Sequence, residues 1–190
     1  MKKVAFLVLS LFATTTALGS EGKNKHSMGV GLGVVSASIE DPNGSAETTP
    51  VIFPTFIYYV DMSRDQRAVS KFSYYDFSLN ASQTDIGQEV TSLSFAGIYE
   101  WRQRIKRDFK PFLGAGLSFN SESIKSRHTV DNEGFLDQRY QDLDNAGFSL
   151  LLSASIDIEV ADSNFQMRGV YTIPTYDGVS GIELSLLYLF

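Results

Sequence analysis

The feature of this chain that most restricts its fold is a two-residue alternation of apolar and small polar side chains. It is clearest over residues 146–160, where every even position is apolar and the odd positions are mostly Ser, Asp or Glu. Successive side chains of a β-strand point to opposite faces, so a period of two predicts a strand with one wholly apolar face.

The same alternation recurs along the chain and predicts eight strands. Six are regular, over residues 28–38, 90–103, 109–120, 146–160, 165–175 and 181–190. Residues 50–61 and 68–80 are rich in aromatic and β-branched side chains, but their pattern leaves open which side of each strand faces outward. Tilted strands of about 9 to 11 residues suffice to cross a bilayer, and these are at least that long.

The connections between the predicted strands alternate in length. Long polar segments over residues 40–49, 81–89 and 121–145 alternate with short turns such as residues 161–164. The exception is the connection between the last two predicted strands, where the alternation calls for a long loop but Asp177-Gly178 predicts a tight turn. A two-residue turn at Asp177-Gly178 would pair Tyr171 with Leu184. An even strand count with short turns on one rim predicts an all-β, eight-stranded antiparallel up-and-down transmembrane β-barrel.

A soluble eight-stranded barrel also alternates, with its apolar face inward, so the composition of the second face decides between the two. That face is mostly Ser, Gly and Ala with a few charges, which suits the interior of a narrow barrel. The apolar face carries aromatic side chains near strand ends, as interfacial girdles require; they are Tyr99, Trp101, Phe109, Phe148, Phe165 and Tyr188. The pattern favours the membrane barrel.

The first residues predict export. Lys2 and Lys3 precede an apolar run and then small residues, which is typical of a signal peptide over residues 1–19, leaving one barrel domain over residues 20–190. Removing Lys2 and Lys3 from the 16 basic side chains leaves 14 against 22 acidic ones, a net charge of −8. This balance argues against a nucleic-acid partner. The chain contains no cysteine.

The last strand ends on Tyr188 and Phe190, and this resembles the terminal signature of bacterial outer-membrane barrels. The segment Lys110-Pro-Phe-Leu-Gly-Ala-Gly also resembles a strand of the small OmpA, OmpW and opacity-type barrels. The resemblance implies a location in the outer membrane, contact with its lipids and lipopolysaccharide, and recognition of Tyr188 and Phe190 by the barrel-assembly machinery. Unlike OmpA, the chain is expected to carry no periplasmic cell-wall domain.

Candidate catalytic and metal-binding residues are few. His26 and His128 are the only histidines, and neither lies in a motif like those of the small barrels that act on lipid A. The acidic residues of the third long loop could supply calcium ligands, but their spacing fits no EF-hand, and an acidic solvated loop is the simpler interpretation. We therefore expect no enzyme, no cofactor and no metal.

Charged residues on the polar face predict ion pairs inside the barrel. The expected turns place Asp157 opposite Arg168 and Glu100 opposite Lys110. Buried charges need partners, so the simpler interpretation is that each pair only neutralises its own charges inside the barrel. The alternative is that the pairs form a gate for small solutes. The leading hypothesis is an outer-membrane barrel with a structural or surface-interaction role, the latter carried by its extracellular loops. Loop 121–145 is the candidate site for an unknown extracellular ligand. A narrow pore and a lipid A-modifying enzyme are the alternatives.

Overall fold

The structure is a computed structural model, and it describes residues 25–40, 46–104, 111–160, 162–175 and 180–190. For residues 37–40 and 46–49 it describes the backbone alone. These residues form the strands β1 (Lys25–Glu40), β2 (Ala46–Ser63), β3 (Gln66–Leu79), β4 (Gly87–Arg102), β5 (Phe112–Val130), β6 (Leu136–Arg139), β7 (Leu143–Val160), β8 (Ser163–Pro174) and β9 (Ser180–Leu189). None of the described residues belongs to a helix long and apolar enough to cross a membrane.

Eight of the described strands close into a barrel, and the short β6 extends the β5–β7 connection. Neighbouring strands pair antiparallel in chain order, and β1 pairs with β9 to complete the ring. The predicted all-β, eight-stranded up-and-down barrel is confirmed. The turn between β2 and β3 lies on what we call the turn rim, and the β5–β6 hairpin lies on the opposite loop rim.

The regular strands face as their alternation predicts. On β7, Leu150 and Leu152 are 50% and 53% exposed on the outer surface, whereas Leu151 between them is 4% exposed. Apolar residues cover the exterior of β1 and β9 in the same way. An apolar exterior around an interior that holds the charged side chains is the arrangement of a membrane barrel.

The structure settles the facing of the two irregular strands. In β2, Phe53 and Ile57 point into the barrel while Ile52 points out, and in β3 Arg67 and Lys71 point inward. Both faces of β2 carry large apolar side chains, because Phe53 and Ile57 belong to apolar clusters of the interior. The sequence of β2 therefore lacks the polar-to-apolar contrast that would reveal its orientation.

The predicted β8–β9 register is wrong by two residues. Tyr171 pairs with Ile182, not Leu184, and the two strands separate after Thr172 and Gly181. The connection is therefore longer than a two-residue turn, and Asp177 and Gly178 lie outside the described residues. Because the error is an even number, each side chain keeps its predicted face.

The prediction that residues 121–145 form a loop is wrong for most of their length. Strand β5 runs to Val130, β6 pairs with its end, and β7 already begins at Leu143. Beyond the apolar belt the outward residues of β5 become polar, so the alternation loses contrast although Glu122 and Ile124 still point inward. The result is a hairpin that extends the sheet at the loop rim.

Candidate functional site

The interior near the turn rim is filled by a carboxylate held between two guanidinium groups. Glu100 accepts hydrogen bonds from Arg67 Nε at 2.6 Å and from Arg168 Nη1 at 2.5 Å. Ser153 Oγ donates a further bond to it at 2.8 Å. The side chains of Glu100 and Arg168 are 0% exposed, so these charges depend on one another rather than on water.

A second carboxylate completes this cluster. Arg67 Nη1 donates to Asp157 at 3.1 Å, and Gln166 Nε2 donates to the same carboxylate at 2.7 Å. The Arg67 guanidinium also lies 3.7 Å from the centre of the Phe112 ring. Two cations and two carboxylates thus form one neutral group, which we call the lumenal ion cluster (Arg67, Glu100, Asp157 and Arg168).

The structure corrects both predicted pairings within this cluster. Asp157 lies opposite Gln166, and Arg168 lies opposite Ser155, because β7 and β8 are offset by two residues from the predicted register. Glu100 lies opposite Gly114 rather than Lys110, which itself falls outside the described residues. Glu100 lies directly opposite Arg67 of the neighbouring strand β3. Its second cation, Arg168 of β8, and the pairing of Arg67 with Asp157 of β7 both come from strands across the barrel.

Gly114 explains how Glu100 can reach those partners. A Cβ atom on Gly114 would lie 2.6 Å from Cγ of Glu100 and 2.7 Å from Oγ of Ser153. Both distances are too short for non-bonded atoms, so only glycine leaves space for the carboxylate to pass over β5. The Gly-Ala-Gly segment noted in the sequence therefore contributes directly to the lumenal ion cluster.

A second ion pair lies deeper in the barrel. Lys71 of β3 donates to Glu183 of β9 across the lumen, and Tyr75 donates to the same carboxylate at 3.2 Å.

A cavity of about 30 Å³ lies beside Tyr75, Ser92 and Asn120, which is room for one or two water molecules. Between these layers, packed apolar side chains such as Ile57, Val69 and Leu187 fill the interior. The described lumen is closed.

Sequence reasoning missed three members of these ion pairs. Arg67 and Lys71 lie on β3, whose facing the pattern did not determine. Glu183 could have been found, because it alternates with Ile182 and Leu184 in a regular strand and must therefore point inward.

A large concavity lies at the loop rim, in the hairpin formed by β5 and β6. Its volume is about 850 Å³, which falls in the range of small-ligand sites. We call it the loop-rim basin, lined by Lys125, Ser126, Arg127, His128, Val130, Gly134, Leu136, Arg139, Tyr140 and Asp142. Three cations and one carboxylate make it locally basic, although the whole chain has a net charge of −6.

A bulge in β5 shapes this basin. Ser126 adopts a left-handed conformation with φ of 56°, and the β4–β5 register shifts beside it. Before the bulge Lys125 points outward, and after it Arg127 and Thr129 are buried. The bulge thus turns the end of β5 so that Lys125 and Arg127 border one concavity.

Hydrogen bonds hold the basin in a defined shape. Arg127 donates through Nε to Gln88 and through Nη1 to the Gln141 carbonyl, at 3.3 and 3.2 Å. Its guanidinium lies 5.9 Å from the centre of the Tyr140 ring. Val130 N donates to the Ser82 carbonyl, which ties the hairpin to the β3–β4 connection. Lys125 and Arg139, in contrast, are exposed to solvent.

Three titratable residues of this hairpin, His128, Asp131 and Asp142, have local hydrogen-bond partners. Nδ1 of His128 donates to the backbone carbonyl of Ser126 at 2.7 Å, not to a side chain of a catalytic set. The Asp131 carboxylate accepts from two backbone N–H groups of its own turn, and Asp142 accepts from Ser126 N. No three His, Asp or Glu side chains among the described residues are placed to hold a metal ion.

The two terminal aromatic residues lie at the turn rim. Phe190 exchanges two backbone hydrogen bonds with Met28 of β1, at 2.8 and 3.0 Å. Its ring stacks on Tyr188, which also contacts Phe165 edge-on. The end of the chain therefore contributes to the closure of the barrel.

Comparison with known proteins finds likeness in structure alone. No protein-family model and no curated protein sequence matches the chain. Among solved structures, Ail, the attachment invasion locus protein of Yersinia pestis, was determined in complex with the heparin analogue sucrose octasulfate. It aligns with a TM-score of 0.54 and 14% identity over 89% of this chain and 100% of Ail. Neisserial surface protein A aligns with a TM-score of 0.51 and 18% identity over 89% and 98% of the two chains.

These similarities concern the fold. The chain has the closed eight-stranded architecture of the small bacterial outer-membrane β-barrels, with the apolar exterior that a membrane location requires. The basin lies on the rim that carries the long hairpin, which in barrels of this topology is the extracellular rim.

Proposed function

We propose that this chain is an outer-membrane surface protein that binds an anionic saccharide in the loop-rim basin, without catalysis. The observation that carries the proposal is the grouping of Lys125, Arg127 and Arg139 around one concavity on an otherwise acidic chain. On this proposal residues 1–19 direct export, and Tyr188 and Phe190 are recognised by the barrel-assembly machinery.

The chemistry of the basin supports an anionic ligand. The exposed side chains of Lys125 and Arg139 can pair with sulfate or carboxylate groups, and Arg offers the planar donor fork that suits such anions. Tyr140 adds an amphipathic ring beside them. The hydrogen bonds that fix Arg127 and the hairpin reduce the conformational freedom lost on binding. The Ail complex with sucrose octasulfate shows that a barrel of this fold can carry such a ligand.

The test is the affinity of the protein in detergent for sucrose octasulfate, measured by calorimetry. Replacing both exposed cations, Lys125→Glu and Arg139→Glu, should weaken binding at least about tenfold, which corresponds to about 1.4 kcal/mol. Added salt should weaken wild-type binding, because exposed charges are screened at high ionic strength.

The matched control changes the charge equally at the opposite rim. Arg64 and Arg104 are exposed near the β2–β3 turn and the end of β4, so the double variant Arg64→Glu/Arg104→Glu should bind as the wild type does. Equal loss in both double variants would mean that net charge, not the basin, governs binding, and the proposal would be wrong. Binding of uncharged sucrose with similar affinity would also contradict it.

A further inference from the structure

A row of phenylalanines crosses the outer face of β2, β3, β4, β5 and β7 through direct cross-strand neighbours. It consists of Phe56, Phe72, Phe95, Phe119 and Phe148. On the last four of these strands it lies near the upper edge of the apolar exterior. The rings of Phe119 and Phe148 meet edge to face at 5.5 Å.

The distance from this row to the turn rim matches a membrane. On β7 it lies ten residues from Ile158, which neighbours Phe165 and, through it, Tyr188. At about 3.3 Å per residue and a tilt of about 40°, this is about 25 Å, the height of the apolar band of outer-membrane barrels.

On β3, β4, β5 and β7 the first outward row beyond the phenylalanines is mixed, with Tyr74, Leu93, Ser121 and Ala146. The next outward row, four residues from the phenylalanines, is polar on all four strands and consists of Asp76, Thr91, Ser123 and Asp144. Carboxylates are excluded from the hydrocarbon layer by their hydration. The boundary between the hydrocarbon and the headgroups therefore runs between the phenylalanine row and this polar row.

A groove lies on the outer surface at this boundary. Its volume is about 450 Å³, and Tyr74, Thr91, Leu93, Ser121, Ser123 and Asp144 contribute to its lining. Ser121 lies between Leu93 and Ala146 in the sheet, and the small side chains leave a depression above the large rings of Phe119 and Phe148. We call this depression the girdle groove.

We propose that the girdle groove binds the saccharide headgroup of an outer-leaflet glycolipid. Leu93 and Ala146 contribute apolar lining, and Thr91, Ser121 and Ser123 contribute hydroxyls. Ser123 Oγ donates to the Asp144 carboxylate at 2.7 Å, which leaves that carboxylate further lone pairs. The groove therefore offers both donors and acceptors to sugar hydroxyls. Tyr74 adds a ring whose hydroxyl can face the headgroups. The described lining contains no Lys, Arg or His, and it carries the outward carboxylate of Asp144, which disfavours a phosphate as the bound group. Glu122 also borders the groove, but its side chain points into the lumen.

This inference rests on the membrane placement in the proposed function but not on its ligand. The groove faces sideways into the lipid, whereas the loop-rim basin opens in the β5–β6 hairpin. The two sites share none of their described lining residues.

The experiment measures heat unfolding of the full chain in phosphatidylcholine vesicles with and without digalactosyl diacylglycerol, a glycolipid without phosphate. At about ten times its dissociation constant in the bilayer, the glycolipid should raise the unfolding midpoint by about 3 to 6 °C. Ser121→Phe, which fills the groove from the lipid side, should abolish the rise. Ala115→Phe, on the outer face of the same strand but outside the groove, should retain it.

Three results would overturn the proposal. The first is an equal midpoint with and without the glycolipid, and the second is a rise that Ser121→Phe leaves intact. The third is the same rise with phosphatidylethanolamine in place of the glycolipid, which would assign the groove to an amine headgroup. Failure of the chain to insert into vesicles would overturn the membrane placement as well, so the two failures are distinguishable.

Discussion

Replacing Glu100 with alanine is expected to lower the free energy of unfolding by about 3 to 5 kcal/mol, because it leaves two buried guanidinium groups without their shared carboxylate. Glu100 is 0% exposed and accepts hydrogen bonds from both Arg67 and Arg168. Neither cation can recover this interaction from water, since their side chains are 1% and 0% exposed. Urea unfolding in phosphatidylcholine vesicles measures the change.

Two variants make this prediction specific. Glu133→Ala removes the same charge from the exposed hairpin tip and should change the free energy of unfolding by less than about 0.5 kcal/mol. Replacing Arg67, Glu100 and Arg168 together with Met, Leu and Met should restore much of the lost stability, because no fully buried charge is then left unpaired. The remaining carboxylate, Asp157, is 40% exposed and keeps its hydrogen bond from Gln166. A Glu100→Ala variant as stable as the wild type would show that the lumenal ion cluster does not stabilise the barrel.

The second prediction is that ions do not pass through the lumen. The lumenal ion cluster and the Lys71–Glu183 pair cross the lumen at two levels, and packed apolar side chains lie between them. Eight strands enclose an interior that side chains fill. The protein in planar bilayers is therefore expected to show no steady conductance at voltages where a porin conducts.

This expectation opposes the narrow-pore hypothesis directly. Steady single-channel steps that change size in Arg168→Gln would mean that ions pass the lumenal ion cluster, and the closed lumen would then be wrong. Arg139→Gln, at the loop rim outside the described lumen, serves as the control for nonspecific effects of losing a cation.

The barrel architecture was predictable because the physical constraint repeats in nearly every strand. Each lipid-facing position must be apolar, so residues 146–160 show the two-residue period of a strand. This pattern can be seen without knowledge of any other part of the chain. The facing of β2 and β3 was the part that the pattern left open. In β2, interior residues such as Phe53 and Ile57 are as apolar as exterior ones.

Pairing between strands was harder to predict, because alternation fixes the facing of a strand and leaves its register open by multiples of two. The expected Asp157–Arg168 and Glu100–Lys110 pairs failed for this reason. Glu100 instead pairs with Arg67, its direct neighbour on β3, a strand whose facing the pattern left open. The remaining contacts join strands across the barrel, as where Arg67 of β3 meets Asp157 of β7. The bulge at Ser126 that shapes the loop-rim basin could not be predicted from the sequence, because Ser is not among the residues that favour a left-handed backbone conformation.

The central claim is that the even-numbered face of β7 contacts lipid and the odd-numbered face lines a filled lumen. The chain has no cysteine, so single cysteines at positions 150 and 151 can carry a nitroxide label without any other substitution. In bilayers, the label at position 150 should collide freely with oxygen dissolved in the lipid. Loss of folding on labelling position 151, or strong shielding of its label from oxygen, is the expected companion result. A label at position 150 shielded from lipid, with position 151 open to it, would contradict the account.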